Sequence, residues 1–212
     1  VEFTDYITPD TALAEKQLDV AVYQHDPFLL NFNKQKGTDL VVAANAVVQP
    51  MGLYSNKIHS LDDIKADTKI AIPNDPSNGG RALVLLEKAG INKLKPDYKG
   101  EASIHDVAEN PRGVKLVELE AAQLPLSLQD LDVACVPMNY AVSGGLDVNK
   151  QGFYFESRDA KYALIIIAAR PDNVQSPEVQ TFVKCYQSPE VAAFIKEKFK
   201  GQINPAWEQP AK

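Results

Sequence analysis

The chain has 212 residues, 45% of them hydrophobic and 24% charged, with a formal net charge of -6. Those proportions belong to an ordinary globular protein and exclude a disordered, fibrous or disulfide-framework chain, while the negative balance argues against nucleic acid or anionic lipid as a partner. The longest strongly apolar run, ALIIIAA at residues 163–169, is far short of the ~20 residues that span a bilayer.

Short β-rich runs alternate with helical patterns, which predicts an α/β protein with largely parallel sheets. Residues 1–6, VEFTDY, read as a strand, and TPDTALAEKQL at residues 8–18 reads as a helix with Thr8 as N-cap and Pro9 at its first position. DVAVYQ at residues 19–24 is a second strand, and DLVVAANAVVQPMGLYS at residues 39–55 is one long extended stretch. SLDDIKAD reads as a short helix with Ser60 capping and the acidic pair in its first turn. The strand KIAIP leads through a loop into the helix RALVLLEKAG, which stops at Gly90.

Further on, ASIHDVAENP is a short segment, VKLVELE a strand, and AAQLPLSLQDLDVACVP a helix, a turn and a strand. YALIIIAAR, from Tyr162, is a second long extended run. Two helices close the chain, SPEVQTFVKCYQS and SPEVAAFIKEKF, each opening with a serine N-cap, a proline at the first position and an acid near the positive helix end. The final EQPAK reads as a loose tail. Cys135, in the apolar DVACVP, and Cys185, on the first of those helices, both read as buried thiols.

The two long extended runs bracket a self-contained α/β segment. The pattern predicts a discontinuous two-lobed protein, with residues 1–52 and 164–212 in one lobe and residues 53–163 in the other. The two crossovers would form a hinge, with a ligand in the cleft between the lobes.

The segment most suggestive of chemistry is IPNDPSNGGRAL, residues 72–83. Asp75-Pro76 reads as an N-cap and first helical residue, after which Asn78, Gly79 and Gly80 leave backbone amides open to an anion. Arg81 lies about one turn in, where the macrodipole disfavours a cation unless something negative sits beside it. Either a ligand carboxylate gripped by the guanidinium fork resolves that conflict, or Arg81 pairs with Asp75 or a surface acid. Neither the P-loop nor the dinucleotide fingerprint is present.

In YQHDPFLLNF, residues 23–32, alternation places Tyr23 and His25 on one face of an extended segment, with Asp26-Pro27 turning the chain and Phe28 joining the same wall. Such a slot suits a small apolar or thioether side chain; the alternative is that the phenylalanines are core and the histidine sits on the surface at a strand end. His25, His59 and His105 are scattered and carry no metal-ligand spacing, so neither a metal nor a cofactor is expected.

QLDVAVYQHDPFL, PMGLYSNKI, IPNDPSNGGRALVLLEKAG, LEAAQLPLSLQDLDVACVPMNYA and SPEVQTFVKCYQSPEV, in that order, resemble the methionine-binding lipoprotein family, the substrate-binding components of methionine ABC importers. The resemblance runs from Val1 to about Phe199. It implies a type II two-lobed periplasmic-binding-protein fold, lipid-anchored outside the cytoplasmic membrane, that closes on L-methionine and delivers it to a permease and an ATPase; a monomer is expected because nothing exposed and apolar demands an oligomer. By the same resemblance Arg81 clamps the ligand carboxylate with Asn78 beside it, and Tyr6, Tyr23, His25 and Phe28 surround the side chain. Asn139 and Tyr140 match the family's head-group motif, whose first asparagine is Pro137 here. Asn139 would face the same way if the segment were extended.

The family's lipidated cysteine and first strand-helix unit have no counterpart ahead of Val1, so the first lobe is expected to lack that unit in this sequence. The competing readings are a small-molecule enzyme on a similar two-lobed frame and a surface lipoprotein with altered ligand specificity.

Overall fold

The structure is a computed structural model that describes residues 1–208; residues 209–212, most of the expected tail, lie outside the described residues. The chain divides into two compact units, one formed by Val1–Gln49 with Arg158–Lys212 and the other by Pro50–Ser157. The divisions fall at 49/50 and 157/158 rather than at 52/53 and 163/164.

Unit 1 begins without the strand expected at residues 1–6. Asp5 instead accepts hydrogen bonds from the amides of Ile7 and Thr8, both at 2.7 Å, and bends the chain into helix α1 (Thr8–Ala14). The cap is therefore Asp5 from outside the helix, and Thr8 is the first helical residue. The helix ends sooner than expected, with Lys16 in the left-handed region at φ 63. Strand β1 (Val20–Ala21) is brief, and helix α2 (Asp26–Lys36) follows where a turn was expected. Gly37, at φ 68, ends α2, and strand β2 (Val41–Val48) carries the chain to the edge of the unit.

Unit 2 opens with β3 (Met51–Tyr54), so the single extended run of the sequence is two strands in two sheets. A 3-10 turn at Leu61–Asp63 replaces the expected short helix. Then come β4 (Lys69–Pro73), helix α3 (Pro76–Lys88), β5 (Lys93–Leu94), β6 (Val107–Glu109) and β7 (Lys115–Leu119). Helix α4 (Leu124–Ser127), β8 (Val133–Pro137), helices α5 (Met138–Ser143) and α6 (Val148–Gln151), and β9 (Gly152–Phe155) complete the unit.

The main sheet of unit 2 has the order β7-β4-β8-β3-β9. Strand β4 is parallel to β7 and β8, whereas β3 is antiparallel to β8 and β9, so the expected parallel arrangement holds only for the three strands that alternate with helices. Met51, Leu53, Ile70, Ile72, Val133 and Cys135 from this sheet pack with Leu83 and Leu86 of α3 into one core.

The chain returns to unit 1 through β10 (Leu164–Ala169), helices α7 (Pro177–Tyr186) and α8 (Pro189–Phe199), and β11 (Asn204–Pro205). Ser176 and Ser188 cap the two helices by accepting from the amides of Val179 and Val191, as their Ser-Pro-Glu openings predict. The sheet order is β1-β10-β2-β11, and every pairing is antiparallel. The expectation of a parallel sheet fails here because β2 leaves the unit and β10 re-enters it beside β2, which forces opposite directions. Cys135 is buried in β8, but Cys185 is exposed, because α7 buries only Val179 among its residues.

Candidate ligand-binding site

In unit 1, Tyr6, Tyr23 and Phe28 form a cluster with ring centroids 5.7 to 6.1 Å apart. His25 joins it edge-on to Phe28 at 6.3 Å and is itself met at 5.3 Å by Tyr162. Tyr162 was not singled out in the sequence. It arrives because His25 bridges to Ile165 and Gln24 accepts from Ile166, laying the returning segment along residues 24–25.

His25 is 3% exposed and so is not a surface residue. Its backbone is extended and its Nδ1 accepts from the amide of Phe28 at 3.1 Å, which makes the imidazole the N-cap of α2. Phe28 and Phe32 are buried. Phe32 belongs to the core of the unit with Leu13, Leu29 and Ile166, while Phe28 belongs to the aromatic cluster.

Behind that cluster lies a buried polar group that sequence reading missed. Asp10 is fully buried, and its Oδ1 accepts from Nε2 of Gln24 at 2.7 Å. Its Oδ2 and the Oε1 of Gln24 accept no hydrogen bond among the described residues. The nearby Tyr23 hydroxyl donates instead to the backbone carbonyl of Tyr6 at 2.8 Å. Desolvation lifts the Asp10 carboxyl from its ordinary 3.8 to about 6, with the Tyr23 hydroxyl and the Gln24 amide opposing the rise. Burial foremost, and then the Asp10 carboxylate, raise the Tyr23 phenol well above its usual value.

In unit 2 the topology collects the other candidates at one end of the sheet. Strands β4, β8 and β9 run in one direction and β3 in the other. The starts of α3 and α5, the residues after β9 and the first residue of β3 therefore share an end, the carboxyl side where open α/β sheets place their ligands. Asn78 and Arg81 come from α3, and Asn139 and Tyr140, both half-buried, from α5.

Asp75 caps α3 by accepting from the Asn78 amide at 2.9 Å, and Asn78 Nδ2 reaches both Asp75 oxygens at 3.1 and 3.2 Å. The amides of residues 78 and 79 are thus taken by the helix start, since the Gly79 amide donates to the Asp75 carbonyl at 2.7 Å. The two glycines do not form the anion cradle expected of them. A Cβ on Gly79 would sit 2.8 Å from the Pro73 carbonyl oxygen, and one on Gly80 would sit 3.0 Å from the backbone of Ala102, so the pair lets α3 pack closely on its surroundings.

Arg81 is 3% exposed. Its Nε and NH2 donate to a single oxygen of Glu156, Oε2, at 3.0 and 2.6 Å, and NH1 reaches the side-chain oxygen Oδ1 of Asn78 at 3.4 Å. The conflict between cation and macrodipole is therefore met inside the protein, by an acid that is neither Asp75 nor on the surface. Glu156 follows β9, with no local sequence signal to link it to Arg81.

Pro137 ends β8 beside Met51. The next residue starts α5, so Asn139 is helical and the alternation argument for its direction does not apply.

Among the described residues no helix is long and apolar enough to cross a membrane. Nor do any three or more His, Cys, Asp or Glu side chains there stand where they could hold a metal.

A nutrient-binding protein from Burkholderia cenocepacia, solved bound to methionine, shares this fold with a TM-score of 0.93 and 42% identity over 97% of this chain and 86% of that one. The substrate-binding protein of a methionine transporter from Streptococcus pneumoniae matches with a TM-score of 0.90 and 36% identity, over 97% and 83% of the two chains. The fold is that of the α/β substrate-binding proteins. In sequence, the D-methionine-binding lipoprotein MetQ of Escherichia coli O157:H7 is 41% identical over 209 residues, which is 98% of this chain and 77% of that relative. The NlpA lipoprotein family model matches residues 1–207, and the chain belongs to that family.

Proposed function

We propose that this protein is an extracytoplasmic solute-binding protein that captures methionine, without covalent chemistry, and passes it to the permease of an ABC importer. The observation that carries the reading is the methionine-bound Burkholderia protein, which shares the fold over nearly the whole chain. Membership of a lipoprotein family supports attachment to the outer face of the cell membrane through a lipid; the protein is taken to act as a monomer.

The ligand groups are assigned unit by unit. Arg81, with Asn78 beside it, takes the carboxylate, because guanidinium offers paired donors to a planar acid. Asn139 and Tyr140 serve the head group. Tyr6, Tyr23, His25 and Phe28 take the thioether, whose sulfur gains from contact with ring edges.

The test is thermal unfolding, with and without each methionine enantiomer, on protein refolded to remove carried-over ligand. At roughly 100 times Kd, binding adds about 2.7 kcal/mol of stability. A rise in Tm with methionine that Arg81→Ala abolishes is the expected result. No rise with either enantiomer overturns the methionine assignment, and recovery of chemically altered ligand overturns the reading of a binding protein.

A further inference from the structure

Glu156 does more than neutralise a buried arginine. Its side chain is 8% exposed, and its Oε2 accepts from Nε and NH2 of Arg81 and from the amide of Met51 at 3.2 Å. Its own amide donates to the Met51 carbonyl at 2.9 Å. Met51 is the second residue of unit 2 and Glu156 the last but one. One carboxylate therefore ties the guanidinium to the two points at which the chain enters and leaves this unit.

The geometry of the pair is also selective. Both nitrogens of one guanidinium edge converge on one oxygen, which fixes the plane and the rotation of the group more tightly than a single contact does. The edge that Glu156 takes is the one made by Nε and NH2. A ligand carboxylate is then met from the opposite edge, between NH1, which also reaches Asn78 Oδ1 at 3.4 Å, and the outer side of NH2, in a direction that Glu156 dictates.

We propose that Glu156 is a positioning residue of the candidate site, holding Arg81 so that its terminal nitrogens face the ligand carboxylate and locking that clamp to the first residue of β3 and the segment after β9. The proposal deepens the methionine reading and rests on it for the identity of the ligand. Its effect belongs to geometry rather than to charge, and two variants separate the two. Glu156→Gln keeps the length of the side chain and an acceptor oxygen but loses the charge. Glu156→Asp keeps the charge but withdraws it by a methylene.

The measurement is the calorimetric affinity of the intact protein for L-methionine and for L-methioninamide, which lacks the carboxylate. The ratio of the two affinities reports the grip of Arg81. Glu156→Gln should retain the wild-type ratio within about threefold, and Glu156→Asp should lower it about tenfold, on the scale of one misplaced charge-assisted hydrogen bond. The reverse pattern, with Asp retaining the ratio and Gln losing it, would overturn the proposal in favour of simple charge balance. An equal fall for both ligands, leaving the ratio unchanged, would reduce Glu156 to a structural residue.

A ligand-free readout keeps this result apart from the methionine reading. The Arg81 Nε–H proton should exchange slowly with water in the NMR spectrum of the wild type and of Glu156→Gln, and faster in Glu156→Asp. If the wild type binds neither ligand, the methionine reading fails and this exchange pattern alone decides the positioning role. An Arg81 Nε–H that exchanges as fast as an exposed arginine's rules that role out.

Discussion

Asp10 is the residue at which burial and charge conflict most plainly. The carboxyl is raised to about 6 in the folded protein against 3.8 for an unperturbed group, and desolvation is the first cause. Below 3.8 both folded and unfolded chains carry the proton. Between 3.8 and about 6 the unfolded chain ionises first, so stability falls as pH rises, and the penalty is complete above that window, on the order of 3 kcal/mol. Asp10→Asn keeps an acceptor for Gln24 and replaces the ionisable carboxylate by a neutral amide. Urea unfolding at pH 4, 5 and 7.5 should show the variant gaining on the wild type as pH rises; parallel curves would show that Asp10 does not titrate in this way. Residues of this kind could not be read from the sequence. The misfit of Arg81 with its helix end was visible locally, but Asp10 and Glu156 matter only because distant segments bury them.

At the scale of elements, the Asp-Pro pair shows why some helices were legible and one was not. Asp75-Pro76 reads as a helix start and is one, with the aspartate as cap. Asp26-Pro27 looks the same in sequence yet reads as a turn, because here the aspartate is already inside the helix and the cap is His25, a residue type with no strong capping signature. The two roles of His25, cap and aromatic partner, are separable. Loss of a cap costs about 1 kcal/mol. His25→Ala should lower urea stability by about that amount, while His25→Asn, which keeps a side-chain acceptor, should recover most of it yet still lose the ring contacts with Phe28 and Tyr162. Methionine titration of His25→Asn then isolates the ring: weakened binding in a stable protein assigns it to the ligand, and unchanged affinity confines His25 to capping. The strands followed a similar rule. Extended runs were evident from β-branched content, but their partners were not, because β10 pairs with β2 across more than a hundred residues that belong to the other unit.

At the scale of the whole chain, the two units differ in how they depend on sequence order. Unit 2 is continuous from Pro50 to Ser157 and contains a complete sheet with its own core. Unit 1 is assembled from both ends of the chain, and β10 lies between β1 and β2, so residues 1–49 alone lack the strand that joins their own two. A fragment of residues 50–157 should therefore fold cooperatively, whereas residues 1–49 should remain unfolded until residues 158–212 are supplied. The two thiols provide the readout. Cys135 lies at 0% exposure in the core of unit 2, where burial drives its thiol well above the ordinary value, while Cys185 is exposed on α7. A disulfide reagent should modify Cys185 promptly in the native protein and Cys135 only on unfolding, since the thiolate is the reactive form. Within the fragment Cys135 is the only cysteine, and slow modification that becomes fast in urea would show that the core closes without unit 1. Prompt modification in buffer would mean that this core depends on the rest of the chain.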